Sequence, residues 1–165
     1  MNDVKKPTMA GGKKSILDRL KKDLEKLKEE AENFGVEEAV IALLDAMAAY
    51  YDLTGAHNTS IANFNGVCVI RTRQASDHIA ASAEFANGRM SVYRGERKPW
   101  QVCITFVDAD ALWAFLISGA ADVLDLLLKN SAQIEGNANY FYRFGFLARE
   151  LVRETGFDRF LPKSA

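Results

Sequence analysis

Nucleophilic and metal chemistry would have to start from Cys68, Cys103, His57 and His78, the only cysteines and histidines in the chain. A thiol paired with an imidazole is a nucleophile pattern, and it needs the base within hydrogen-bond reach of the sulfur. Here both cysteines fall inside strand-like runs, His57 sits in a loop and His78 at a strand start, with no spacing that joins them. No CxxC or Cys/His spacing points to zinc or to a redox dithiol. Both cysteines read as small buried hydrophobes, and a Cys68–Cys103 disulfide requires their strands to be neighbours. The carboxylates Asp108, Asp110, Asp122 and Asp125 read as helix caps and helix-surface residues rather than as a metal or acid/base set. There is no GxGxxG before a helix, no Walker A, no GxSxG and no HExxH. Arg71, Arg73, Arg89, Arg94, Arg97 and Lys98 cluster in one part of the chain. Only Tyr93 and Trp100 lie near them, too few for a nucleic-acid stacking platform. The residues predict no enzyme, no cofactor, no metal and no nucleic acid.

What remains is apolar surface, and the elements that hold it come next. The 165 residues suffice for one domain with appendages. Hydrophobic residues make up 48% and charged residues 26%, with a net charge of −1, an ordinary balance for a globular protein. The charge is unevenly spread. Residues 1–22 hold seven Lys/Arg against Asp3 and Asp18, which leaves the rest near −6. Residues 1–13 read as a basic arm. Residues 14–35 read as a charged amphipathic helix with Ile16, Leu20, Leu24 and Leu27 on one stripe. That leader suggests either transient contact with an anionic membrane surface or packing of the stripe on its own domain or on a second subunit. No secretory signal is seen, and Asp122 and Asp125 break the apolar run from Ala111 to Leu128, so the expected compartment is the cytoplasm.

Val36 to Leu53 is apolar round most of its circumference, the pattern of a helix buried on more than one side. Four strand-like runs follow: Gly66–Arg73, His78–Phe85, Arg89–Arg94 and Trp100–Val107. Asn87-Gly88 is a strong hairpin signal, and Gly95 to Pro99 reads as a second turn. Together they predict an antiparallel meander covered on one face by helices, with Trp100, Val102, Ile104 and Phe106 sharing a face. Asp108 or Asp110 caps a helix over Ala111–Ile117. Ala121–Lys129 reads as a second short helix with Val123, Leu124, Leu127 and Leu128 inward, and Ala132–Glu135 as a short strand. A last helix runs from Asn137 or Asn139 to about Glu154, with Tyr140, Phe144, Leu147 and Leu151 on its inner face. Gly145 sits within it, which suggests close approach or room for something against the helix.

From Phe85 to Leu151 these phrases resemble the sterol carrier protein type 2 (SCP2) family. The hairpin ANGRMSVYRG is followed by a strand and capped helix, ITFVDADALWAFLISG, and by ADVLDLLLKNSAQIEGN leading into the closing helix. The match is weaker from Val36 to Glu84 and absent over residues 1–35. The resemblance implies an α+β domain over residues 36–156, with a mixed, mostly antiparallel sheet of about five strands covered on one face by helices, and a tail over 157–165. It also implies non-catalytic binding, transfer or presentation of a lipid in a tunnel between sheet and helices. The ligand would be a fatty acid, a fatty acyl-CoA, or a sterol-like or quinone-like molecule. The expected wall is Phe85, Val102, Ile104, Phe106, Trp113, Leu116, Leu124, Leu127, Phe141 and Phe144. The alternative is an interaction protein whose tunnel is filled and which dimerises or docks through residues 14–35.

Overall fold

The computed structural model describes residues 18–19, 21–22, 26, 35–54, 59–74, 78–117 and 123–156, with Val36, Trp113, Ala114, Leu116, Ile117 and 123–125 described by backbone only. The predicted arm and tail, and most of the predicted leader helix, lie outside these residues. The described residues of that leader (18, 19, 21, 22 and 26) are helical. The elements are α1 (Val36–Thr54), α2 (Thr59–Ala62), β1 (Gly66–Thr72), β2 (Ala80–Ala86), β3 (Arg89–Arg94), β4 (Val102–Phe106), α3 (Ala109–Ile117), α4 (Val123–Leu128), β5 (Ala132–Gly136) and α5 (Ala138–Thr155).

Helices and strands follow their local signals. Asn87 and Gly88 both take positive φ, 54° and 74°, as a tight hairpin between β2 and β3 requires. Asp108 Oδ1 accepts from the Ala111 amide at 2.8 Å and is the cap of α3. Asn137 Oδ1 accepts from the Asn139 amide at 3.0 Å at the start of α5. Gly156, at φ 68°, closes that helix in the left-handed conformation.

The five strands form one mixed sheet in the order β3-β2-β1-β4-β5, an α+β architecture. The predicted simple meander is corrected at β4. It does not return beside β3 but pairs in parallel with β1, Ile70 opposite Ile104. Residues 95–101 therefore cross the sheet instead of making a tight turn. Along the way Ser82 donates to the Gly95 carbonyl at 2.7 Å and its hydroxyl accepts from the Arg97 amide at 2.8 Å. Gln101 N then donates to the Val67 carbonyl at 2.9 Å. Trp100 is corrected with it. Its ring packs on Val67, Val69 and Cys103, on the face opposite the main core that holds Val102, Ile104 and Phe106. The cysteines are divided in the same way, Cys68 toward the helices and Cys103 away from them, and both are free thiols.

Arg71 ties the crossing segment to the sheet. Its Nε donates to Thr105 Oγ1 at 2.9 Å, and its guanidinium lies 2.6 Å from Glu96 and 3.1 Å from Glu135. The hydrogen bond from Arg71 holds Glu96 below its ordinary value of 4.5. A carboxylate depressed by folding contributes stability that is complete above its ordinary value and is lost as pH falls through the lowered one. Arg71→Gln is expected to lower stability by about 1 kcal/mol near neutral pH, because the ion pairs are part-exposed. Urea unfolding of both proteins should show that difference shrinking as the pH falls below 4.5.

Candidate functional site

An aromatic layer fills the space between the sheet and the helices. Four of the surrounding elements supply rings: Phe85 from β2, Phe106 from β4, Phe115 from α3, and Phe141 and Phe144 from α5. Phe64, just before β1, sits 4.4 Å from Phe85 by ring centroids. Phe115 is the hub, 5.3 Å from Phe106, 5.3 Å from Phe141 and 6.4 Å from Phe144. Phe144 in turn meets Phe85 edge-on at 6.3 Å. Such offset and edge contacts are the favoured arrangements of aromatic rings.

Six of the expected wall residues come together here: Phe85, Val102, Ile104, Phe106, Phe141 and Phe144 are buried in one cluster, at most 1% exposed. Leu127 packs against it half-buried. The side chains of Trp113, Leu116 and Leu124 lie outside the described residues. Leu128, expected inward, is 73% exposed. It is the last residue of its helix, directly before the turn at Lys129 and Asn130. The sequence reading missed Phe64 and Phe115. Leu112 and Phe115 are both buried at an i, i+3 spacing, but ADALWAFLI is apolar nearly all round, so no stripe singles them out.

Gly145 shows what its position is for. The Phe115 ring lies beside it, and an added Cβ would stand 3.5 Å from that ring, ordinary contact. Gly145→Ala is therefore expected to stabilise the protein by about 0.5–1 kcal/mol through helix propensity, read as a rise in melting temperature.

Polar groups at the edge of the layer are satisfied. Tyr51 donates to the Leu147 carbonyl at 2.9 Å and lies 3.1 Å from Glu150, which joins α1 to α5. Burial, with the Glu150 charge second, raises the Tyr51 hydroxyl's pKa well above the ordinary tyrosine range. Burial also pushes the Cys68 thiol up to about 12 and raises that of Cys103, so both stay protonated near neutral pH. Among the described residues, no group of three or more His, Cys, Asp and Glu could hold a metal ion. No described helix is long and apolar enough to cross a membrane.

Outside the layer, an open groove of about 290 Å³ runs between α2 and α5, lined by Ser60, Tyr142, Arg143 and Phe146. Arg143 lies 4.7 Å over the Phe64 ring and donates to the Ser60 carbonyl at 3.4 Å, so one residue bounds both the groove and the layer.

No family model and no curated protein matches the sequence. Solved structures do match in fold. A ubiquinone synthesis protein, UbiJ-SCP2, superposes with a TM-score of 0.52 at 12% identity, covering 70% of this chain and 90% of its own. Sterol carrier protein 2 from Yarrowia lipolytica gives 0.53 at 13% identity, over 72% and 91% of the two chains. A Thermus thermophilus protein described as possibly a sterol carrier protein gives 0.50 at 15% identity, over 75% and 90%.

Proposed function

We propose that this chain, which has the fold of the SCP2 domains, binds a long apolar molecule between its sheet and its helices. It would transfer or present that molecule without bond chemistry, in the cytoplasm. The observation that carries this reading is the aromatic layer: Phe106 of β4 and Phe141 and Phe144 of α5 converge on Phe115 of α3, and Phe144 carries the contact on to Phe85 of β2. An acyl chain or a flat ring system would lie where Phe115 now meets Phe141 and Phe144, with Trp113, Leu116, Leu124 and Leu127 completing the wall. The ligand class is a fatty acid, a fatty acyl-CoA, or a sterol-like or quinone-like molecule. A lipid pocket needs roughly 300–1,000 Å³, so binding would move α3 outward and part the Phe115 stack. In this reading residues 36–156 are the binding domain, 1–13 an arm, 14–35 a helical extension and 157–165 a tail. Titration with a fluorescent fatty acid should give saturable binding that unlabelled fatty acid displaces. Absence of saturable binding would refute the reading.

A second reading is favoured by how closely the same rings pack. An interior already filled would make the domain an accessory protein that dimerises or docks through residues 14–35. Light scattering should then show a dimer or complex that dissociates when residues 1–35 are deleted. A monomer with and without them removes this reading.

A further inference from the structure

The outer face of α5 is left unexplained by the layer beneath it. Tyr142, Phe146, Arg149 and Arg153 recur at spacings of 4, 3 and 4, which places them on one stripe. All four are exposed, and the two rings are large apolar groups left 52% and 51% open to water. Arg143 flanks them in the groove beside Ser60. Arg153 pairs with Glu154 at 3.2 Å, whereas Arg143 makes no ion pair among the described residues and is held only by a carbonyl and a ring. Arg149 and Arg153 lie on the stripe and Arg143 flanks it, on the side that also carries Glu150 and Glu154, in a chain whose residues beyond 22 sum to near −6.

We propose that this stripe docks the protein on an anionic lipid surface, with Tyr142 and Phe146 entering the interface and Arg143, Arg149 and Arg153 meeting phosphates. The proposal rests on the lipid-binding reading and names where the exchange partner sits. Aromatic rings favour the membrane–water boundary, where an apolar body and a polar edge are both accommodated. Guanidinium groups engage phosphate oxygens in a planar, bidentate fashion. The placement also suits delivery, because Arg143 lies over Phe64, and Phe64 is the edge of the aromatic layer. A phosphate that draws Arg143 off that ring uncovers the layer on the side facing the membrane.

The test is flotation of the full chain with vesicles of phosphatidylcholine alone and of phosphatidylcholine with phosphatidylglycerol. Binding is expected to the anionic vesicles and to weaken with added salt. Arg149→Ala should weaken it about fivefold, the equivalent of ~1 kcal/mol for a basic residue near such a surface. Tyr142→Ala with Phe146→Ala should weaken it at least about tenfold through lost apolar contact. All three positions are exposed, so the variants should melt as the unaltered protein does, and their fluorescent fatty-acid affinity should be unchanged. If these variants float as the unaltered protein does, another face carries the contact and the proposal falls. It falls equally if the unaltered protein ignores both vesicles while Phe146→Ala dissociates a dimer, since the face is then a protein interface. Vesicle binding that depends on α5 in a protein with no fatty-acid affinity would keep the docking surface and remove only the reading it rests on.

Discussion

Phe144→Ala is expected to lower the unfolding free energy by about 3–5 kcal/mol, the usual range for removing a fully buried phenylalanine. The effect is large because Phe144 is fully buried and its ring links two layers, Phe85 on the sheet and Phe115 on α3. Truncation removes the apolar transfer energy and leaves a cavity that surrounding rings fill only in part. For a chain of this size the melting temperature should fall by roughly 6–20 °C. Phe144→Leu should recover much of the loss, since it restores most of the volume. A second readout separates packing from binding. If the layer is the ligand wall, the alanine variant gains room, and a fluorescent fatty acid should raise its melting temperature more than that of the unaltered protein. A variant that melts within about 1 °C of the unaltered protein would show that Phe144 is not in a packed interior.

Gly136→Ala should be the next most damaging change, by about 2–4 kcal/mol, combining left-handed backbone strain with a steric conflict. Gly136 has φ 93°, which a side chain disfavours, and an added Cβ would run into the Gln101 carbonyl. That carbonyl accepts from the Asn137 amide at 2.8 Å, and Asn137 caps α5. Relief of the clash must therefore move the end of β5, the cap and the first turn of α5 together. Hydrogen exchange should show faster opening of β5 and the start of α5, with β1 to β3 little changed. Equal loss of protection across the whole sheet would mean that the conflict is not local.

The parts of the fold that were legible in the sequence are those set by neighbours in the chain. Asn87-Gly88, Asp108, Asn137 and Gly156 act through their own backbone or the next turn, and each does what its residue type dictates. The inner stripe of α5 was legible for the same reason, because charged residues alternate with it at a helical period. The parallel pairing of β1 with β4 was not. It joins segments more than thirty residues apart, and the Gly95–Pro99 phrase has the composition of a hairpin turn. Trp100 alternates in phase with Val102, which predicts a shared face, while the strand itself begins only at Val102. In α3 the sequence ADALWAFLI is apolar nearly all round, so periodicity chooses no face and does not single out Phe115 from Trp113 and Leu116. Ser82 is fully buried where it hydrogen-bonds Gly95 and Arg97, a contact made by a segment more than ten residues away that no local pattern encodes. The exposed pair Tyr142 and Phe146 drew no assignment, because aromatic residues in a helix are read first as core.

Native mass spectrometry of the protein purified from the cells that express it, without detergent, tests the central claim most directly. Lipid carriage predicts a population heavier than the 165-residue chain by the mass of one lipid, released intact on collisional activation and shifted when a different fatty acid is supplied. A single mass equal to the bare chain, unchanged after incubation with fatty acids, acyl-CoA, sterols and quinones, would contradict it.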